Sequence, residues 1–325
     1  MPAISLVVCL YKERDVVERL LHETSGVYDD LVVVHDGPER GSGSGIKDQT
    51  AEIEETPPAI NFSELSANSA LPDGYTAPSG SPKPGSIHQL VMQYNGRFFE
   101  GPRCFQQEPH WPFSWWQAKN DWILRLDADE FPSRELIEWL HRFRDSPEPK
   151  NDISGYTCIW PLWDGRRAVT RRWPDGRIFL FHRQRVRFFG MVEQVPIPDT
   201  CYQPIELILN HQPKRKSYGV LNILFREQAY NWRRVIAKSL IGKPTDLACW
   251  RWTLNEWPEF WCNLRRHPLR HSLVSLLRFP VHQFRGMLAV GQVPLISECL
   301  NPALHHFMLG LRVFVEKRKQ GPKNQ

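Results

Sequence analysis

The chain has 325 residues, of which 41% are hydrophobic and 24% are charged, a balance typical of soluble globular proteins with a substantial core. A membrane-spanning helix needs about 20 consecutive apolar residues, and the sequence contains no such run. The seven cysteines form no C-x-x-C pair, which argues against a secreted disulfide scaffold or a structural zinc site. The N-terminus lacks the features of a secretory signal, so we predict a cytoplasmic protein.

The two parts of the chain differ in charge. Residues 1–204 hold 22 Lys and Arg against 29 Asp and Glu, net −7, whereas residues 205–325 hold 19 against 7, net +12. This asymmetry predicts an N-terminal part that handles cations and a C-terminal part that faces phosphate, either in lipid headgroups or in nucleic acid.

The predicted elements begin as a parallel α/β sheet. An apolar strand over 4–10, an amphipathic helix over 15–24 and a second strand over 31–34 precede Asp36. Binding sites in such sheets lie at the carboxyl ends of the strands, which is where Asp36 falls. Residues 38–86 are rich in Gly, Ser, Pro and Asn, and this composition predicts a long loop.

The later elements continue the sheet and then change character. We predict a strand over 122–126, a helix over 134–143 with Ser133 as its cap, and strands over 155–162, 177–181 and 205–210. Beyond residue 216 the pattern becomes helical and basic. The sequence therefore predicts a sheet-containing domain over 1–225 and a helical extension, rich in Trp and Arg, over 226–325.

The sharpest chemical signal is Asp127-Ala128-Asp129, which follows a buried strand directly. Two carboxylates on the exit turn of a strand can converge on one divalent cation, and hard oxygen ligands suit Mg²⁺ or Mn²⁺ with positions left for phosphate. Glu130 adds a third carboxylate, whose repulsion increases the need for a cation. A D-x-D sequence is also common in acidic loops. The prediction of a cation site therefore depends on the buried strand that directly precedes it.

Three segments resemble family 2 glycosyltransferases of the GT-A fold, in the branch that includes lipopolysaccharide-core and capsule sugar transferases: ISLVVCLYKERDVVERLL, LVVVHDG and NDWILRLDADEFPSREL. Further similar blocks are DQTAEI (48–53), RIFLFHRQRVRFFGMVEQV (177–195) and LILNHQ (207–212). The resemblance implies an α/β fold with a GT-A (nucleotide-diphospho-sugar transferase), Rossmann-like mixed sheet. It also implies a metal-dependent hexosyltransferase that moves a sugar, with inversion, from a nucleotide-sugar donor to a cell-envelope or surface glycan acceptor, free or lipid-linked.

The resemblance also implies roles for individual residues. Those that would hold the nucleotide-sugar are Tyr11, Glu13, Asp36, Arg103 and Asp127, with Lys119 as a further phosphate contact. Asp127 and Asp129 would bind the Mn²⁺ or Mg²⁺ that bridges the two donor phosphates. His211 would be an additional cation ligand or a pyrophosphate contact.

An inverting transferase needs a general base that takes the proton of the attacking hydroxyl. The resemblance points to an acidic residue well after the D-x-D, and the candidates are Glu193, Asp175 and Asp164. Glu193 ranks first because GMVEQV lies where this branch often shows Val-His-Glu. This chain has Val192-Glu193 without the His.

Tryptophans and arginines are interleaved in the extension, a composition that suits a membrane interface with anionic lipid. Residues 269–288 are predicted to form an amphipathic helix, broken at Pro280, that lies in the interface. We therefore predict peripheral contact with the inner face of the cell membrane. Alternatively, the tryptophans of the extension lie in the protein core and the arginines lie on a solvent-exposed face. No nucleic-acid motif appears, and we expect no nucleic acid partner.

Three other functions remain open at this point. A catalytically silent GT-A module would bind nucleotide or act as a membrane scaffold without moving a sugar. A basic protein that binds membranes or nucleic acid would use the α/β part only as a structural scaffold. Nucleotidyl transfer is weaker, because the glycine-rich segment 41–45 lacks the Lys of a phosphate-binding loop.

Overall fold

A computed structural model of the chain describes residues 1–11, 14–39, 58–66, 69–161, 163, 165–168, 176–213, 224, 227–289, 291–293 and 296–320. The chain divides into two compact units. Unit 1 comprises Met1–Trp160, Gly176–Gln212 and Ala248–Trp252, and unit 2 comprises Pro161–Asp175, Pro213–Leu247 and Thr253–Gln325. The division into domains over 1–225 and 226–325, made from the sequence, stays a prediction.

The strands of unit 1 are β1 (Ile4–Leu10), β2 (Asp30–Asp36), β3 (Arg97–Gly101), β4 (Trp122–Arg125), β5 (Glu130–Pro132), β6 (Ile153–Ile159), β7 (Arg177–His182), β8 (Val186–Arg187), β9 (Ile197–Pro198) and β10 (Cys201–His211). Within the described residues, eight of them form one sheet in the order β3-β2-β1-β4-β7-β6-β10-β5, and β8 pairs with β9. β3, β2, β1 and β4 run parallel, β7 is antiparallel to both its neighbours, and β10 is parallel to β6 and antiparallel to β5.

The helices of unit 1 are α1 (Arg14–Glu23), α2 (Ile87–Gln93), α3 (Trp111–Gln117) and α4 (Arg134–Asp145). Those of unit 2 are α5 (Glu227–Ile241), α6 (Glu259–Arg266), α7 (Pro268–Ala289) and α8 (Ile296–Lys319). Short 3₁₀ helices span Phe62–Glu64, Glu108–His110, Arg183–Arg185 and Pro244–Asp246. Among the helices that the structure describes, none has both the length and the apolarity that crossing a membrane requires.

The two faces of β1 pack into different apolar layers, because successive side chains of a strand point to opposite faces. Leu6 and Val8 lie in the layer that contains Leu20 of α1 and Leu136 of α4. Val7 lies in the other layer, which is dominated by aromatic side chains of α3 and its neighbours. All seven residues of β1 are buried, so the strand lies at the centre of unit 1.

The predicted fold class, α/β with a GT-A-like mixed sheet, is confirmed by this topology. The predicted strands over 122–126, 177–181 and 205–210 are confirmed as β4, β7 and β10, and the predicted helix over 134–143 as α4. Ser133 caps α4, since its hydroxyl accepts a hydrogen bond from the backbone N–H of Leu136. Of the predicted 38–86 loop, residues 40–57 and 67–68 lie outside the described residues.

Two parts of the prediction differ from the structure. The sequence gives no prediction for α2, β3 and α3, which are only five to seven residues long and show too few turns for a periodic pattern. The break predicted at Pro280 is wrong, because α7 is one continuous helix with this proline inside it. Proline removes a single helix hydrogen bond, and packing of α7 against α8 holds the helix together.

Candidate functional site

Polar side chains gather at one edge of the sheet in unit 1. The parallel strands β1, β2 and β4 all end at this edge, so Tyr11, Asp36 and Asp127 follow one another there. β10 ends at the same edge with His211, and the antiparallel β7 begins there with Arg177. The edge therefore combines residues from five strands that are far apart in the sequence.

Asp129 lies beside His211, and the pairing of β5 with β10 holds the two together. His211 is in register with Glu130, and the backbone N–H of Gln212 donates to the carbonyl of Asp129 at 2.8 Å. As a result His211 Nε2 lies 3.5 Å from Asp129 Oδ2. Burial raises the pKa of Asp129, but the hydrogen bond and charge of His211 more than offset it, so the pKa lies below its usual value. Asp129 is therefore a stable carboxylate.

Arg177 pairs with the other two carboxylates of this turn. Its Nη2 lies 2.7 Å from Asp127 Oδ2, and its Nε lies 2.8 Å from Glu130 Oε1. Burial lowers the pKa of Arg177, but the charges of Asp127 and Glu130 outweigh burial and raise it above the usual value. Sequence reasoning did not identify Arg177. Its signal is a charged residue at the first position of the apolar strand RIFLF.

Glu130 is fully buried and tied to its surroundings. Its carboxylate accepts hydrogen bonds from the backbone N–H of Asp127 at 2.9 Å and from Trp160 Nε1 at 2.8 Å. Burial raises its pKa, although the guanidinium of Arg177 acts in the opposite direction. Trp160 also stacks on His211, with ring centroids 4.4 Å apart. Glu130 therefore fixes the shape of the turn and the position of the histidine.

The D-x-D turn leaves polar atoms for a ligand. Asp127 Oδ1 and His211 Nδ1 are buried, and neither has a hydrogen-bond partner among the described residues. Asp127, Asp129 and Glu130 bring three carboxylates to this turn, beside the guanidinium of Arg177 and the buried guanidinium of Arg125. These features fit a divalent cation, which prefers oxygen ligands and tolerates an imidazole.

The predicted ligands do not form a closed three-residue set. In the described parts of the chain, the one group of three His, Cys, Asp or Glu donor atoms within 4.8 Å of one another is Asp36, Cys104 and His110. A cation at the D-x-D turn would therefore take further ligands from a bound molecule such as a diphosphate, as Mg²⁺ usually does.

Asp36 is buried and is held by its own chain. It accepts hydrogen bonds from the backbone N–H groups of Cys104 at 2.5 Å and Phe105 at 2.9 Å, and from His110 Nε2 at 3.0 Å. The hydroxyl of Tyr75 lies 3.2 Å from His110 Nδ1. The potential metal ligands Asp36 and His110 therefore have hydrogen-bond partners without a cation. Asp36 also anchors the loop that follows β3.

This loop brings Arg103 to the end of β1. The Arg103 guanidinium lies 4.5 Å from the centre of the Tyr11 ring. Gly37, at φ +79°, lets it approach, because a Cβ there would lie 3.0 Å from Arg103 Nε. Three of the predicted nucleotide-binding residues, Tyr11, Asp36 and Arg103, are therefore neighbours. Glu13 lies outside the described residues.

Lys119, the further predicted phosphate contact, lies away from this group. The backbone N–H of Lys119 donates to Asp30, the first residue of β2, so Lys119 is at the opposite edge of the sheet. Asp175 and Asp164, two of the candidates for the general base, lie outside the described residues.

Glu193, the first candidate for the general base, lies in a tight turn. Its backbone has φ 65°, a left-handed conformation that is uncommon outside glycine. Its N–H donates to Glu108 Oε1 at 3.0 Å. Burial raises the pKa of Glu108 to about 7, with the charges of Asp127 and Glu193 adding to the shift and two backbone hydrogen bonds opposing it. Glu108 therefore connects the turn of Glu193 to the D-x-D region.

Arg125 lies within β4, just before the D-x-D, and is buried. Its guanidinium lies 4.1 Å from the Trp111 ring and donates to the carbonyl of Ile178 at 3.1 Å. Burial lowers its pKa to about 10, with the charge of Arg177 adding to the effect. Sequence reasoning missed this residue, although a charge in an otherwise apolar strand is a signal for it.

Comparisons with known proteins give a distant likeness of fold. No family model matches the chain, and no curated protein sequence matches it. A crystal structure of S. aureus TarS has a TM-score of 0.34 and 12% identity, covering 99% of this chain and 56% of that one. A structure of TarS 1–349 gives 0.29 and 13%, and its complex with UDP gives 0.30 and 14%, each covering 99% of this chain and 93% of the other. The chain thus spans about half the length of the first of these structures. The likeness extends to the fold alone.

Proposed function

We propose that the chain is a nucleotide-sugar-dependent glycosyltransferase that uses Mn²⁺ or Mg²⁺ and acts on a hydroxyl of a cell-envelope or surface glycan. The observation that carries this proposal is the D-x-D turn at the end of β4. There Asp129 lies beside His211, and the buried Asp127 Oδ1 has no hydrogen-bond partner in the described part of the chain. A buried carboxylate oxygen without a hydrogen-bond partner, next to a second carboxylate, suits a cation that also binds a diphosphate.

The cation would be held by Asp127 and Asp129, with His211 as a further ligand or a contact to the phosphates. When bound, it acts as a Lewis acid that stabilises the negative charge of the departing nucleoside diphosphate. The stacking of Trp160 on His211 and the hydrogen bonds to Glu130 keep the surrounding side chains in place. Such preorganisation removes the cost of reorienting groups during the reaction.

The nucleoside would bind at the ends of β1 and β2. Tyr11 offers an aromatic face, and the neighbouring guanidinium of Arg103 offers a charge for the phosphates. Asp36 stabilises this surface, because it accepts hydrogen bonds from the backbone of the loop that carries Arg103. Glu13, next to this position in the sequence, would complete the nucleotide contacts.

The transfer itself needs one proton acceptor. The acceptor hydroxyl would attack the anomeric carbon while its proton passes to the Glu193 carboxylate. The bond from the anomeric carbon to the phosphate oxygen breaks, and its electron pair leaves with the nucleoside diphosphate. This single displacement inverts the anomeric centre. Asp175 is the second candidate for the base.

A catalytically silent nucleotide-binding module is the second candidate function, and Arg177 is the observation that favours it. Its guanidinium already pairs with Asp127 and Glu130, so two of the three carboxylates have a resident positive charge. Such a module would bind a nucleotide without moving a sugar.

Nucleotide release distinguishes the two functions. The purified full chain is incubated with UDP-, GDP- and dTDP-sugars and Mn²⁺, with water as the nucleophile that takes the sugar, and free nucleoside diphosphate is measured with wild type, Glu193→Gln and the exposed control Glu135→Gln. We expect wild type and the control to release one nucleotide, and Glu193→Gln to be about 10²- to 10⁴-fold slower with unchanged donor affinity. Donor binding without release by the wild type would establish the silent module instead.

A further inference from the structure

Helix α7 in unit 2 exposes a continuous row of large apolar side chains. The row, here called the α7 apolar stripe, consists of Leu269, Leu273, Leu277, Val281, Phe284 and Leu288. Their spacing of three and four residues places them on one face of the helix. Their exposed fractions run from 44% at Leu269 to 76% at Leu277. A stripe of this size is far more than the scattered apolar residues of an ordinary surface, so it indicates a binding face.

The orientation of α7 is fixed by its opposite face, which packs on α8. The Ser272 hydroxyl donates to the carbonyl of Phe307 at 3.0 Å, and Ser272, Ser275 and Met287 are buried. Gly310 permits this close approach, because a Cβ there would lie 2.2 Å from Ser272 Oγ. The helix cannot turn its stripe inward without losing these contacts. The stripe is therefore a stable feature of unit 2.

Positive charge accompanies the stripe. Arg270, Arg278 and Arg285 are exposed on the same helix, and the sequence of α7 contains no Asp or Glu. Val293 and Ile296, after the helix, add two more apolar side chains that are 87% and 79% exposed. Apolar side chains on a helix that carries arginines and no acidic residue match a surface that has an apolar interior and anionic headgroups.

We propose that the α7 apolar stripe docks on an anionic membrane surface, with the stripe at the acyl boundary and the arginines among lipid phosphates. A second copy of the chain fits less well as the occupant. A symmetric dimer would place α7 against itself and bring arginines of like charge together. The surface does not include the D-x-D site, so the proposal is independent of the transferase activity.

Vesicle binding by the full chain tests the proposal. Binding is measured by co-sedimentation with phosphatidylcholine vesicles that contain about one third phosphatidylserine, and with vesicles of phosphatidylcholine alone. We expect binding to the anionic vesicles, weaker binding to the neutral ones, and a decrease as salt is raised. Absence of binding to the anionic vesicles would overturn the proposal.

Variants identify the surface that binds. Leu273→Ser with Leu277→Ser should lower anionic-vesicle partitioning at least about tenfold, and Arg278→Gln about fivefold. The controls Val315→Ser on α8, 44% exposed, and Arg134→Gln on α4 should stay within about twofold of wild type. Circular dichroism of each variant establishes that it is folded.

Three outcomes would contradict the proposal. Folded stripe variants that bind vesicles like wild type would remove α7 from the contact. A wild-type dimer that becomes monomeric in Leu273→Ser with Leu277→Ser, seen by sedimentation velocity, would make the stripe a self-association surface. Tight binding of an RNA oligonucleotide that Arg278→Gln weakens, without vesicle binding, would identify a polyanion partner.

Discussion

Glu108 is a buried carboxylic acid that interacts with two of the predicted site residues, Glu193 and Asp127. It accepts the N–H of Glu193, whose left-handed turn it supports, and the charge of Asp127 acts on it. The charge of the buried Arg125 also interacts with it. Burial disfavours its ionised form, which is why its pKa rises to about 7. Because Glu108 contacts the turn of Glu193, its protonation near neutral pH links the stability of the fold to the predicted site.

The raised pKa of Glu108 predicts how stability changes with pH. The folded protein holds this proton up to about pH 7, whereas the unfolded chain releases it near its ordinary value of 4.5. Stability from this group is thus complete below the unfolded value and is lost as the pH rises towards 7. Glu108→Gln should remove that dependence and reduce the loss between pH 5 and pH 8 by about 2–3 kcal/mol.

Urea unfolding at pH 5 and pH 8 measures this effect, with Glu135→Gln as an exposed control that leaves the difference unchanged. If Glu108→Gln loses as much stability between the two pH values as wild type does, Glu108 is ionised in the fold and its assigned role is wrong.

Gly155 leaves no room for a side chain between β6 and β7. A Cβ on Gly155 of β6 would lie 2.5 Å from the carbonyl oxygen of Leu180 and 2.7 Å from Phe181 Cβ in β7. The clash is with backbone and a buried ring residue, neither of which can move freely. The pairing matters to the site because β7 begins with Arg177.

We predict that Gly155→Ala lowers the free energy of unfolding by about 1–3 kcal/mol through overpacking. Thr157→Ala, two residues further along the same strand, should cost less than about 1 kcal/mol, since only strand propensity changes. Denaturant midpoints of the two variants measure the difference. Equal stability of Gly155→Ala and wild type would show that the strands separate easily at this point.

Elements with a strong local pattern were predictable, and contacts between distant residues were not. The apolar runs of β1, β2 and β4 identify the sheet, and Asp127 and Asp129 can be read together because they are neighbours in the sequence. The pairing of Asp127 with Arg177 spans 50 residues, and that of Asp36 with His110 spans 74. Such pairs depend on strand order, which no local pattern specifies.

At the scale of the whole molecule, the charge asymmetry of the sequence separates two kinds of surface. The acidic part contains the D-x-D turn in unit 1, and the basic part contains α7 with its exposed arginines in unit 2. An acidic surface is expected to bind cations, and a basic surface is expected to face phosphate groups. The cytoplasmic location predicted from the sequence stays a prediction.

The metal dependence of donor binding tests whether the D-x-D turn binds a cation. Melting temperatures of the full chain are measured with UDP-, GDP-, CMP- and dTDP-sugars, each with Mn²⁺ or EDTA, for wild type, Asp129→Asn and the exposed control Asp145→Asn. A ligand at 100 times its dissociation constant adds about 2.7 kcal/mol to the stability of the folded state. We expect a rise with one nucleotide family in wild type and in the control, only with Mn²⁺, and no rise in Asp129→Asn. An equal rise with EDTA, or in Asp129→Asn, would contradict the assignment of the D-x-D turn to a cation.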